Sequence, residues 1–401
     1  MRRWCVLLFS MLLLSYGCAS DDPVQVTADS DDTVDLTRFE RLERLAAKPD
    51  QGVAELIGAT APVVVPAGSV DALQAAIVAA GTHGIVLLES GLHTESQGVL
   101  IGTSVSIIGE SGAVLEIDSD ADPFDYTLDP ALHIKNTANV MIWGLAIRPT
   151  GTVGGVAVLV ERSPNVTVGF NQIDAHQNAI VLHHGDRAVI WGNRVRVTDG
   201  FFAGELLEAD GILALNGDDV AVVGNDVSNG LFGIFASDEK GLLMGNTTYE
   251  NYIGVILCKA PPASFQLPGG EIWGSEQSAT RWKVFGNNSA DNFTVGYLVI
   301  DGANKNSLWA NDGSGNGTYD IELMGESMRF GFCTPTSFDN SVKAVGRYRH
   351  ITIKDCGVGN TVMGGMQVDP SVDPCEGPCP ASALSGAPDV QPRLATIARR
   401  R

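Results

Sequence analysis

The phrase AVIWGNRV, residues 188–195, is an apolar alternation that stops at Gly-Asn and then resumes, and the chain repeats it. VTVGFNQI begins at Val166, VAVVGNDV at Val220, GLLMGNTT at Gly241 and WKVFGNNS at Trp282. Aligned on Asn193, the pattern reads apolar-x-apolar-x-x-Asn-x-apolar, with anchors at Leu145, Asn171, Asn193, Asn225, Asn246, Asn287, Asn311 and Cys356. Most neighbouring anchors lie 21 to 32 residues apart; the intervals of 41 (Asn246 to Asn287) and 45 (Asn311 to Cys356) are each two turns, or one turn with a loop. A second short apolar run recurs between anchors, as GVAVLV at 155, AIVLHH at 179 and GIFAS at 233. Each unit thus holds about three strands of three to five residues, too little to bury an apolar face alone. Stacked units bury it by pairing each strand with its equivalent about 4.8 Å above. Gly permits the corner, and Asn side chains stack inside it against backbone groups and one another. The expectation is an all-β chain, a single-stranded parallel solenoid. One strand per corner excludes propellers and sandwiches.

The chain has 401 residues, 44% of them apolar, enough for a sizeable core. A net charge of −21 excludes a general nucleic-acid binder. It also opposes unaided binding of a polyanion unless positive charge is concentrated locally or a divalent cation such as calcium bridges. The sequence assigns no cofactor and no metal site.

The organisation read from the sequence has four parts. Residues 1–18 carry Arg2 and Arg3, an apolar run and small residues, an export signal too short to span a membrane comfortably. Its end, SYGC, resembles a bacterial lipoprotein box closing on a lipidated Cys18, with Ser15 where Leu is usual. Ala19 after that cysteine implies, by the same resemblance, the outer membrane. Residues 19–58 form an acidic tether and a short helix, 59–365 the coil, and 366–401 a disordered Pro-rich tail ending in ARRR. Val70, Leu73, Ile77 and Ala80 define one helical face, with Ser69 as its cap. Export implies oxidising surroundings, so cysteines pair: Cys333 with Cys356, and Cys375 with Cys379 in a small loop.

With its repeat and the opening DALQAAIVAAGTHGIVLLESGLHTES, the chain resembles the right-handed parallel β-helix repeat proteins. That superfamily includes pectate lyases, polygalacturonases and alginate epimerases. The resemblance implies an N-terminal capping helix over the end of the coil, where core and strand edges would otherwise be open. Asp174-Ala175-His176 is faintly similar to the Asp-Pro-His-acid motif of mannuronan epimerases but lacks its Pro and its last acid. Asp218 and Asp219 resemble the paired aspartates of polygalacturonases, without the partner motifs, and read as turn residues. The fold also occurs in copper-handling periplasmic proteins, yet the eight methionines show no ligand cluster.

Alternation assigns the outward positions. Before each anchor these are Trp143, Trp191, Val223, Met244, Phe285 and Trp309; in the next apolar run they are His133, Val181, His183, Leu213, Phe235, Ile256 and Leu298. Both sets are apolar enough to need a cover of loops, a sugar or a partner. After the anchor the outward residues are polar, and Arg148, Asp174 and Arg196 fall at one position in three successive turns. Two arginines can hold a sugar carboxylate by forked hydrogen bonds, with Asp174 and His176 supplying base and acid. On this reading Asp174, His176 and Arg196 are catalytic, and Arg148, Arg194, Asp226 and Tyr249 bind substrate. The competing reading is a surface salt-bridge ladder. The expected function is an exported, lipid-anchored cell-envelope protein that binds or processes polysaccharide, by lyase or epimerase chemistry if catalytic. The alternative is a non-catalytic surface scaffold.

Overall fold

A computed structural model describes residues 61–118, 130–150, 155–198, 209–259, 265–266, 272–275, 277–327 and 333–375. The expected signal with Cys18, the tether 19–58, Cys379 and most of the tail lie outside these residues.

Among the described residues the strands form three parallel sheets, of twelve, eight and eleven strands, and one two-stranded antiparallel pair. Through most of the coil each turn of chain delivers a strand to the first, second and third sheet in that order; from Ser307–Trp309 onward the second-sheet strand is missing. Met141–Trp143, Ala146–Thr150 and Val156–Glu161 make one turn; Thr167–Gly169, Gln172–Ala175 and Asn178–His183 make the next. The chain is a single-stranded, right-handed parallel β-helix. Its core is a set of inward columns. In the first sheet Ile142, Val168, Ile190, Val222, Leu243 and Val284 stand in register, and none has measurable exposure.

The corner between the first and second sheets is built as the repeat implies. Asn171, Asn193, Asn225, Asn246, Asn287 and Asn311 form one column, each Oδ1 accepting the backbone N–H of the residue one turn earlier, at 2.9–3.0 Å. Each Nδ2 from Asn171 to Asn287 donates to the next Oδ1 and to a carbonyl of the preceding turn, so the buried amides satisfy one another. The interval of 41 residues is therefore one turn with a loop. The last anchor is corrected. Trp309 pairs with Lys343, which puts the equivalent position at Val345, while Cys356 follows the third-sheet strand Thr352–Asp355. Two further amide ladders, Asn251–Asn292–Asn316 and Asn306–Asn340–Asn360, line other corners. Size is also traded along columns: a Cβ on Gly241 would come within 2.1 Å of the buried Trp282 ring one turn on.

The helix Leu73–Ala80 covers the N-terminal turn and buries Leu73, Ala76 and Ile77 in the core. Val70 is 65% exposed and lies off that face. Ser69 Oγ donates to the Pro66 carbonyl rather than capping the helix; the cap is the Glu95 carboxylate of the next turn, which accepts Ala72 N–H and Leu73 N–H at 3.0 and 2.8 Å. Burial pushes that carboxyl above its usual pKa although both bonds pull it down.

The pairing of cysteines differs from expectation. Cys356 is bonded to Cys375, and Cys333 is in a disulfide as well. The fold brings residues 369–375 back beside the last third-sheet strands, which sets Cys375 against Cys356. There Asp373 bonds Tyr319 and pairs with Lys354 at 2.9 Å. The start of the expected disordered tail is likewise structured: Met366–Gln367 pairs with Thr352–Asp355.

Candidate functional site

The Gly-Asn corner has an outer surface as regular as its interior. Its turning residues Gly144, Phe170, Gly192, Gly224, Gly245, Gly286 and Ala310 all have φ between 54° and 73°. Most of these positions carry no side chain, so the ridge is bare backbone that a ligand can approach closely. On the first-sheet side it is flanked by the column Trp143, Gly169, Trp191, Val223, Met244, Phe285 and Trp309. On the second-sheet side it is flanked by Ala146, Gln172, Arg194, Asp226, Thr247, Asn288 and Asp312. Apolar faces line one bank and hydrogen-bonding groups the other.

Phe170 occupies the turning position of its own corner and projects outward, 38% exposed. Its ring centroid lies 4.7 Å from that of Trp143 and 5.5 Å from that of Trp191. Trp143 lies across the bare Gly169 of the next turn, where a Cβ would come within 2.5 Å of its ring. Phe285 and Trp309 make a second pair at 5.0 Å, with Lys343 Nζ 5.7 Å from the Trp309 ring centroid. These aromatic clusters at rung spacing form the apolar bank.

The second sheet brings the stripe together. Glu116, Arg148, Asp174, Arg196, Ser228 and Tyr249 share one outward column. Arg148 sits between Glu116 and Asp174 at 3.9 and 3.7 Å, and Gln172 Nε2 donates to Asp174 at 3.1 Å. His176 follows on the same strand edge, its Nδ1 3.3 Å from Thr198 Oγ1. Arg194 pairs in register with Asp226, one of whose carboxylate oxygens is buried with no hydrogen-bond donor among the described residues. The long ion pairs behave as a surface ladder: Arg148→Met is expected to shift unfolding free energy by less than about 1 kcal/mol in urea titration.

The outer face of the third sheet is closed. His133, Val181, His183, Leu213, Phe235, Ile256 and Leu298 point outward as expected, yet all are buried, most of them in a second hydrophobic cluster. At its N-terminal end the buried Glu161 carboxylate takes His133 Nε2 at 2.8 Å, Lys135 Nζ at 3.0 Å and Arg162 at 3.1 Å. Burial depresses the His133 pKa against the pull of Glu161. Residues between Cys258 and the next first-sheet strand, Lys283–Phe285, fold back here: Gly274 O accepts Asn216 Nδ2, and Gln277 N–H donates to Asp238. Asp219, of the paired aspartates, is a turn residue with φ 57°.

The sequence reading missed a cavity of 390 Å³ on the same Gly-Asn ridge near its C-terminal end. Gly286, Asn288, Ala310 and Asp312 form its floor and one wall, and the 3-10 turn Gly346–Tyr348 closes it with Arg347 and Tyr348. The Arg347 guanidinium stacks 4.8 Å from the Tyr348 ring centroid and donates to its hydroxyl. His350 contacts the Arg347 carbonyl through Nδ1 at 2.9 Å and Asp312 through Nε2 at 3.1 Å. Both partners only accept, so a protonated ring satisfies both. The Arg347 carbonyl, and then Asp312, hold its pKa above the usual value. The available signal was KAVGRYRH, residues 343–350, with four basic groups and no acid in a chain of net charge −21.

Residues 82–261 match the profile of a family described as periplasmic copper-binding protein (NosD). No curated protein is significantly similar to the chain. Among solved structures it is similar to the surface protein and adhesin PfbA of Streptococcus pneumoniae, at 12% identity and TM-score 0.54, over 74% of this chain and 92% of that one. The A-module of the Azotobacter vinelandii mannuronan C-5 epimerase AlgE4 is similar at 14% identity and TM-score 0.52, over 74% and 91%. The Dettilon tailspike protein (gp208) is similar at 15% identity and TM-score 0.50, over 76% and 67%. These likenesses show the fold. Copper does not fit the described side chains: no group of three or more His, Cys, Asp or Glu residues is arranged to hold a metal ion. The Glu161 carboxylate is already paired with His133, Lys135 and Arg162, and the two cationic side chains would repel a metal ion. Calcium finds no carboxylate cluster among the described residues for the same lack of grouped donors.

Proposed function

We propose that the protein binds a linear polysaccharide along the outer ridge of its Gly-Asn corner, as an exported protein of the cell envelope held to a membrane through lipid on Cys18. The observation that carries this reading is the pairing of two banks along a glycine-rich ridge, one apolar with aromatic clusters at Phe170 and Trp191 and at Phe285 and Trp309, the other polar. Sugar rings present apolar faces and a rim of hydroxyls, and the two banks match those surfaces. Successive rungs about 4.8 Å apart repeat the same contacts along a polymer. Trp191 faces the ridge from one side and Arg194 from the other. A mannuronan epimerase module and a surface adhesin among the similar structures agree with this setting, as does the periplasmic family profile. The test is calorimetric titration with oligosaccharides: Trp191→Ala is expected to weaken binding about five- to tenfold without lowering the melting temperature. Unchanged affinity would sink the assignment.

A second reading is favoured by one observation, the register pairing of Asp174 with Arg196 and the position of His176 two residues on. That set can neutralise a uronate carboxylate and move the adjacent proton. Polyuronates incubated with and without calcium, with Arg196→Ala as control, then give unsaturated or epimerised products. If no product forms, binding stands without catalysis.

A further inference from the structure

We infer that the open cleft lined by Asn288, Asp312, Arg347 and Tyr348 is a subsite that takes the carboxylate of an acidic sugar at one end of the bound chain. The inference rests on the ridge being the polysaccharide groove. Three features carry it. The cavity lies on the ridge itself: Gly286 and Ala310 are turning residues of the Gly-Asn corner, and Asn288 and Asp312 continue the polar bank of Gln172, Arg194 and Asp226. The groove stops there, because at the next turn the corner is replaced by the 3-10 turn that presents Arg347 and Tyr348 as an end wall. A chain running along the ridge meets a planar guanidinium backed by an aromatic ring, with the bare Gly286 leaving open space beneath.

The local charge fits an anion. Lys343, Arg347, Arg349 and His350 all fall within one turn, and the one carboxylate in the cavity wall is engaged: Asp312 Oδ1 accepts Gly313 N–H at 2.8 Å as well as His350. A guanidinium with the Lys343 ammonium on the neighbouring turn favours a carboxylate over a neutral hydroxymethyl group at this subsite. The opposite side of the cavity is walled by residues flanking Phe285 and Trp309, on which the sugar ring carrying that carboxylate can lie.

The experiment compares hexagalacturonate with its methyl ester, which keeps the chain and removes the charge, by calorimetric titration. Wild type is expected to bind the acid form about tenfold or more tightly than the ester. Arg347→Ala is expected to abolish that preference by weakening acid binding far more than ester binding, and Arg347→Lys to restore part of it. Arg347 is exposed, so an unaltered melting curve checks that the variant folds. Equal affinity for acid and ester, or a preference that survives Arg347→Ala, overturns the subsite while the groove stands. Binding of galacturonate monomer as tight as the hexamer overturns it as a chain-end subsite. If neither hexamer binds, and Trp191→Ala changes nothing for any neutral oligosaccharide, the groove falls and the subsite with it.

Discussion

Asn225→Ala is expected to destabilise the protein by about 3–5 kcal/mol, read as a lowered urea midpoint. The side chain is buried at 1% exposure, and each of its atoms is used. Its Oδ1 accepts Asn193 N–H at 2.9 Å and Asn193 Nδ2 at 3.0 Å. Its Nδ2 donates to Ile190 O at 2.9 Å and to Asn246 Oδ1 at 3.0 Å. Alanine leaves a backbone donor, a backbone acceptor and two amides short of partners in a place water does not reach, at about 1–3 kcal/mol for each uncompensated group. Leucine would fill the volume and leave the same groups stranded, so it does not rescue. Asn360, half-buried at the end of another ladder, is the internal control and should cost less. A loss below about 1 kcal/mol for Asn225 would mean that the column is not what holds the corner.

The second large effect depends on pH. Asp210 is 2% exposed at the edge of the apolar outer face of the third sheet, and its Oδ1 accepts Phe232 N–H at 3.0 Å. Burial outweighs that bond and raises its pKa from 3.8 to about 7. The unfolded chain therefore loses this proton first. Below about pH 4 both states are protonated and the group contributes nothing. Between about 4 and 7 only the unfolded state ionises, so stability falls as pH rises. Above about 7 the folded state carries the charge at the full penalty, about 4 kcal/mol for about three units. Asp210→Asn removes the titration and keeps an oxygen for Phe232; Asn178 already precedes it in the column, accepting Asp210 N–H at 3.2 Å. The variant is expected to match wild type near pH 4 and to exceed it by about that amount at pH 8. A difference that does not vary with pH contradicts the assignment.

The interior of this fold is more legible in sequence than its exterior, for a physical reason. A buried Asn at a tight corner has few substitutes, since it must feed the backbone of one turn and accept from another, and so it recurs visibly at 171, 193, 225, 246, 287 and 311. The outward direction of the alternating residues was legible too, because alternation follows from the pleat. Whether those residues meet water was not: the outer face of the third sheet is buried, whereas Phe170 and Trp309 are partly open. Phe170 took the place of the corner glycine at φ 54°, a role that residue type does not advertise. Cys356 matched the spacing of an anchor and stands at another corner, and its partner Cys375 is set by a return of the chain that spacing does not encode. The cavity at Arg347 was missed because it arises where the repeat is broken, and a reading built on periodicity passes over such a break. The stripe of Arg148, Asp174 and Arg196 was found for the converse reason, being strictly periodic.

The most direct measurement is a crystal structure with the tightest-binding hexasaccharide from the titrations. The account predicts density running along the corner ridge, with sugar faces against Trp191 or Phe170, hydroxyls toward Gln172, Arg194 and Asp226, and one end at Arg347. Density lying instead on the third sheet, or across the strands away from the glycine column, would contradict it.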